Sequence, residues 1–277
     1  MKARHETEVA LGSTRTTMAL AHHLMLRLRD GRVLVRSVAE RRQLARTVLA
    51  SSAGESLLAF RAADSHLHVL VAGEAPPARG LAQRIESALK QRLRLPIGFA
   101  PVHVVPVVEQ RHLAHAFWYV LQQEKHHEIE ADPMHEASNL PDLLGLRLLG
   151  AESRRAVSAW LPRVADNDLR QLLRAMDHDG PANWSLLGDA AAAAVALPTV
   201  GGRSAEARLA RAAALRVAAG QQTLAQMASA LGVSEPTVWR ARESAKRAPQ
   251  ALVDAVALQL RVRSAAQTEG RSLPAGR

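Results

Sequence analysis

The 277-residue sequence contains no cysteine, so disulfides and thiolate-held metals are excluded, and any cation has to be bound through histidine, carboxylate, amide or water. Aromatic side chains make up only 3% of the chain, and Tyr119 is the single tyrosine. A core with so few rings must be built from aliphatic side chains, which makes each aromatic that does occur conspicuous. Long apolar runs are missing as well. None approaches the roughly 20 residues that cross a bilayer, and the N-terminal MKARHETEVALGSTR has no apolar signal-peptide core, so the expectation is a cytoplasmic protein with no membrane partner.

Acidic residues are in deficit, 26 Asp and Glu against 36 Lys and Arg, for a net charge of +10. Arginine supplies most of the excess. The guanidinium fork binds phosphate through two donors at once, so this balance fits a polyanionic partner. A coding bias toward Arg and Ala would produce the same charge without one.

The chain is long enough for two domains, each with its own core. HHLMLRLRDGRVLV, residues 22–35, alternates like a strand and turns at Asp30-Gly31. Ser37 to Leu49 has helical spacing, with Ser37 placed as N-cap and Glu40 as its capping-box partner. Ser56 to Arg61 and His66 to Ala72 read as strands joined by a turn, Leu81 to Leu93 as a basic amphipathic helix, and Phe99 to Val108 as a strand. Strand, helix, strand, strand, helix, strand is the split βαβ, or ferredoxin-like, order. A long helix is expected from Glu109 to Glu130, and helical, Ala/Leu-rich sequence from about Asn139 to Pro198. The fold class expected is α+β: a ferredoxin-like domain (20–132), with an antiparallel sheet carrying helices on one face, a helical connector (133–200), and an all-α C-terminal domain (201–265).

Two local patterns carry chemistry. In DSHLHVLVAG, residues 64–73, His66 and His68 point to one side of a strand about 6 to 7 Å apart, a spacing that suits two ligands of one metal ion as well as a half-exposed pair. On the following helix Tyr119 and Gln123 lie four residues apart, which puts both side chains on one face at roughly 5 to 6 Å between Cβ atoms.

HLHVLV after a strand-turn, with Tyr-x-x-x-Gln on a downstream helix, resembles the HUH-type single-tyrosine transposases, including the REP-associated ones, over roughly residues 22–130. The resemblance implies that Tyr119 is the nucleophile, that His66, His68 and Gln123 hold a divalent metal, and that single-stranded DNA, bearing hairpin-forming repeats, is cut and rejoined through a 5′-phosphotyrosine. Mg²⁺ or Mn²⁺ is the implied metal. Two imidazoles and an amide suit Mn²⁺ better on donor softness, and the choice stays open. Active sites in this family form within one subunit or across a homodimer. Two departures stand out: Ser65 replaces the asparagine before the first histidine, and Gln122-Gln123-Glu124 replaces the Asn-Pro that often follows the tyrosine. His22, His23, His112, His115, His126 and His127 read as solvated surface, although His22 or His23 would neighbour the site if the first strand pairs with the third. Asp64 and Glu124 are further candidate ligands.

TLAQMASALGVSEPTVWRA, residues 223–241, resembles a helix-turn-helix. Ala228 permits close approach, Gly232 makes the turn, Val238 fills the space between helices, and Ser234 caps the second helix with Pro236 in its first turn. Such a helix would lay Glu235, Thr237, Trp239 and Arg240 into the major groove of duplex DNA, with Lys246 near phosphate. The sequence thus predicts a metal-dependent transposase-like strand transferase. The alternative is a catalytically inactive, domesticated DNA-binding regulator working through the C-terminal helices.

Overall fold

In a computed structural model, which describes residues 18–123, 132, 134–176 and 180–269, the chain is an α+β protein. Four strands, β1 (Ala21–Arg27), β2 (Ser56–Ala63), β3 (His66–Ala72) and β4 (His103–Val107), form one antiparallel sheet in the order β2-β3-β1-β4. Helix α1 (Val38–Ser51) lies between β1 and β2 in the chain, and α2 (Ala75–Arg92) between β3 and β4. The expected alternation of strands and helices is therefore present.

Local chemistry accounts for these elements. Ser37 Oγ accepts from the Glu40 amide while Glu40 caps the Ser37 amide in return, so α1 starts where the sequence placed it. Helix α2 begins at Ala75, six residues earlier than expected, because prolines sit in its first turn where a missing N–H costs little. Strand β1 ends at Arg27, just before the expected turn, where Gly31 takes φ +67°, and β4 begins at His103 rather than Phe99.

Strand alternation divides the sheet into two faces. Leu24, Leu26, Leu67, Val69 and Val71 pack with Leu44 and Val48 of α1 and Leu81 and Ile85 of α2. The expectation of helices on one face only is incorrect. Ala21, Leu58, Ala59, Leu70 and Val107 face the other way, beneath Leu113, Phe117 and Val120 of α3 (Gln110–Leu121) and Ala156 and Val157 of a helix at Ala151–Trp160. The apolar stripe of α3 is what requires that second face to be covered. Residues 137–139 close the outer edge of β2, where the Ala62 amide donates to the Ala137 carbonyl (3.0 Å) and the Phe60 amide to Asn139 Oδ1 (3.0 Å).

After α3 come α4 (Leu140–Leu143), α5 (Ala151–Trp160) and α6 (Leu169–Met176), then α7 (Leu187–Ala194), α8 (Ala205–Val217), α9 (Leu224–Leu231), α10 (Glu235–Ala245) and α11 (Gln250–Glu269). Helices α7 to α11 enclose their own core, with Leu187, Ala213, Leu231, Val238, Val256 and Leu260 buried together. Gly188 lets α7 meet α9: a Cβ there would stand 2.3 Å from the Ala230 carbonyl oxygen.

A buried charge cluster ties these helices to the sheet. Glu136 accepts from Arg42 of α1 (2.8 Å) and from Arg263 of α11 (2.5 Å). Asp189 of α7 accepts from the same two arginines, at 2.6 Å for Arg42. Arg42 also donates to the Leu197 carbonyl at 3.1 Å, and the Arg147 side chain to the Glu136 carbonyl at 3.2 Å. Burial alone would raise the Glu136 pKa, but the Arg42 and Arg263 guanidiniums outweigh it and hold the carboxyl at about 2, below its ordinary 4.5. An unfolded chain takes up that proton near pH 4.5 and the native one only near 2, so the stability contributed by Glu136 is present above that window and lost as pH falls through it. Glu136→Gln leaves two buried guanidiniums short of a counter-charge and is expected to destabilise the protein by about 3 to 5 kcal/mol. Denaturant unfolding near neutral pH measures that loss, and below about pH 3 the gap between variant and wild type should shrink.

Candidate active site

On β3 the core-facing positions are Leu67, Val69 and Val71, which turns His66 and His68 toward α3. On β1 they are Leu24 and Leu26, which turns His23 the same way. Backbone register sets the spacing between them. His68 is paired with Met25 and Arg61, His66 with Arg27 and Ala63, and His23 with Leu70, two residues beyond His68. His23 and His68 are thus diagonal neighbours across two strands, within reach of long side chains.

Their rings meet there. His23 Nε2 lies 3.0 Å from His68 Nδ1, and the two rings are near-parallel and edge to edge, with centroids 5.2 Å apart and 22° between their planes. His66 and His68 have centroids 6.0 Å apart. His68 is buried at 3% exposure, whereas His66 is half-buried. The two-residue turn Asp64-Ser65, with Asp64 at φ +53°, joins β2 to β3 and brings Ser65 Oγ to 3.2 Å from His66 Nδ1.

Tyr119 stands above this group from α3. Its ring is edge-on to His68, 6.1 Å between centroids at 86°, and edge-on to His23 at 5.9 Å and 80°. Leu113, Phe117, Val120 and Leu121 fix the helix to the sheet, which leaves Tyr119 on its flank, 37% exposed and open to a large substrate. The phenol and the paired imidazoles meet within one chain.

Gln123 departs from expectation. Helix α3 ends at Leu121, so Gln123 lies beyond it and does not share a helical face with Tyr119. The backbone leaves helical geometry at Gln122, and the Gln123 side chain folds back to donate from Nε2 to the Tyr119 carbonyl at 2.8 Å. Gln123 is fully buried, and its Oε1 accepts no hydrogen bond among the described residues. The remainder of the expected helix, with Glu124, His126 and His127, lies outside the described residues.

Two of the histidines taken as solvated surface are not. His22 is 4% exposed and bonds through Nδ1 to the Gly73 carbonyl at 2.9 Å, a link between β1 and the end of β3. His23 belongs to the site. Burial, followed by the nearby imidazoles of His103 and His112, lowers its pKa from 6.5 to about 4. His112 and His115 are exposed on α3, as expected. Among the described residues no group of three or more His, Asp or Glu side chains gathers closely enough to hold a metal ion. The buried amide oxygen of Gln123, which accepts no hydrogen bond among the described residues, is a metal donor in chemical type.

Arg61 was not anticipated from the sequence. It is 1% exposed on the same sheet face, opposite His68, where it hydrogen-bonds His135 and reaches the Leu121 carbonyl at the end of α3 (3.5 Å). No motif in the sequence marks it. A groove of about 870 Å³ elsewhere, between the last turns of α1 and α2 and the start of α5, contains none of these residues.

A second surface lies on α9 and α10. Thr223 and Gln226 cap α9 reciprocally, Gly232 ends it in the left-handed region at φ +62°, and Ser234 opens α10. The Ser234 hydroxyl bonds the Thr237 hydroxyl (3.0 Å) instead of a backbone amide. Met227, Ala228, Leu231 and Val238 are buried. Glu235, Arg240 and Lys246 are exposed, Trp239 is 60% exposed, and Thr237 is half-buried.

Because His23 is neutral in the folded chain and charged below about pH 6.5 when unfolded, its contribution to stability is present above that pH and lost as pH falls toward 4. The size is on the order of 3 kcal/mol. Urea titrations of the metal-free protein across this range should show a shallower decline in His23→Gln than in wild type; equal slopes would contradict the assignment. No protein-family model, curated protein or solved structure matches the chain.

Proposed function

We propose that this protein is a metal-dependent DNA strand transferase of the HUH single-tyrosine type, with Tyr119 as nucleophile. The observation that carries the proposal is the edge-on approach of the sole phenol of the chain to His68, beside His66 and His23, on one face of the sheet. The β1-α1-β2-β3-α2-β4 order with strands arranged β4-β1-β3-β2 supports a ferredoxin-like reading of the domain.

His66, His68 and Gln123 are the residues proposed to hold a divalent cation, Mg²⁺ or Mn²⁺. When bound, such an ion withdraws charge from the non-bridging oxygens of a phosphodiester. The chain supplies the rest. The flank position of Tyr119 presents its oxygen to the substrate, and the Gln123 bond to the Tyr119 carbonyl couples the placement of a metal donor to that of the nucleophile. Attack forms a Tyr119 Oη–phosphorus bond and breaks the P–O3′ bond. The phenol loses a proton and the 3′-oxygen gains one. The product is a 5′-phosphotyrosine and a free 3′-hydroxyl, and the reverse step by another 3′-hydroxyl rejoins DNA without hydrolysis.

The α9-turn-α10 unit supports a helix-turn-helix reading, in which Glu235, Thr237, Trp239 and Arg240 face duplex DNA and Lys246 meets phosphate. The exposed Trp239 face also favours a second reading, a DNA-binding regulator that uses α10 and performs no chemistry at Tyr119. One experiment separates them. Protein is incubated with hairpin-bearing single strands and Mn²⁺, denatured, and examined for a covalent adduct, which should form in wild type and vanish in Tyr119→Phe. Absence of any adduct, together with a salt-sensitive shift of duplex DNA that Trp239→Ala and Arg240→Ala weaken, would establish the regulator instead.

A further inference from the structure

His66 and His68 each engage a neighbour through the same ring atom. His68 Nδ1 lies 3.0 Å from His23 Nε2, and His66 Nδ1 lies 3.2 Å from Ser65 Oγ. The two neighbours come from different places, β1 and the β2–β3 turn, and Ser65 is buried at 3% exposure. A neutral imidazole has one N–H, and the bond made at one nitrogen decides which nitrogen keeps a lone pair. With Nδ1 occupied on both rings, a cation can be bound only through Nε2, and only if each Nδ1 carries the proton. Two unassisted rings have four tautomer combinations, and one of them offers both Nε2 lone pairs.

We propose that Ser65 and His23 are positioning residues that hold His66 and His68 in the Nδ1–H form, so that both rings offer Nε2 to one divalent cation. The inference rests on the strand-transferase reading for its purpose, but the tautomers themselves are a property of the metal-free chain. Each neighbour acts as an acceptor: the Ser65 hydroxyl oxygen toward His66, and His23 Nε2 toward His68, which puts the proton of His23 on its own Nδ1. Metal-binding histidines are commonly oriented through their second nitrogen, and loss of such a partner weakens metal binding by about 10- to 100-fold. The arrangement also gives a physical role to the buried Ser65 of the β2–β3 turn. A hydroxyl in the turn can accept from Nδ1 as an amide oxygen would.

The test uses full-length protein labelled with ¹⁵N-histidine, free of metal, at about pH 8, where imidazoles are neutral. Long-range ¹H–¹⁵N correlations distinguish the tautomers, with signals assigned through His66→Gln and His68→Gln. Both rings should be Nδ1–H in wild type. Ser65→Ala should shift His66, and His23→Ala should shift His68, toward Nε2–H. Mn²⁺ affinity by calorimetry should fall about 10- to 100-fold in each, and Ser65→Thr and His23→Gln, which can still accept, should recover most of it. An Nε2–H form of either ring in wild type overturns the inference, as do alanine variants with unchanged tautomers and Mn²⁺ affinity. Wild type with both rings Nδ1–H that makes no DNA adduct overturns strand transfer and leaves the inference standing; an adduct-forming protein with Nε2–H rings does the reverse.

Discussion

Covering the second face of the sheet is the constraint from which the site follows. Once α3 and α5 pack against Ala59, Leu70 and Val107, polar side chains on that face lose access to water and need partners within the protein. His23 and His68 meet each other, His66 meets Ser65, and Arg61 reaches His135 and the last turn of α3. Removal from water converts a row of alternating side chains into an ordered polar cluster. A sheet with helices on one side only would leave the same imidazoles hydrated and free to turn.

The charge cluster around Glu136 extends that order beyond the sheet. A carboxylate at 3% exposure is tolerable only because Arg42 and Arg263 both point at it, and those arginines come from α1 and α11. Gln259 of α11 donates to the Leu146 carbonyl, Arg46 of α1 to the Val195 carbonyl, and Val262 joins the core under α3. The last helix therefore packs into both cores.

Much of this was visible in the sequence where local physics decides. The capping box at Ser37 and Glu40, the placement of β3, the left-handed Gly232 and the buried Val238 each depend on a few neighbouring residues, and each is found where expected. Alternation of Leu24 and Leu26 on β1, and of Leu67, Val69 and Val71 on β3, even carries the parity that puts His23, His66 and His68 on one face. What alternation lacks is the offset between strands. His23 opposite Leu70 places its ring beside His68; a register that set His23 opposite Ala72 would have left the two histidines apart. The overlong α3 has a similar origin, because helical spacing extends across Gln122 while the chain turns there and folds Gln123 back on Tyr119.

The sequence by itself determined which residues are available: one phenol, a pair of imidazoles two apart on a strand, no thiol, a surplus of guanidinium, and a helix pair at 224–245 whose first member carries a capping box. These are local properties, fixed by composition and by periods of 2 and about 3.6 residues. Tertiary structure alone decided that His23 and Ser65 attend the pair, that Tyr119 leans over it, and that Arg42, Glu136 and Arg263 converge from three distant segments. Strand register and the burial of the second sheet face are long-range outcomes, set by how whole surfaces exclude water, and no short stretch of residues encodes them.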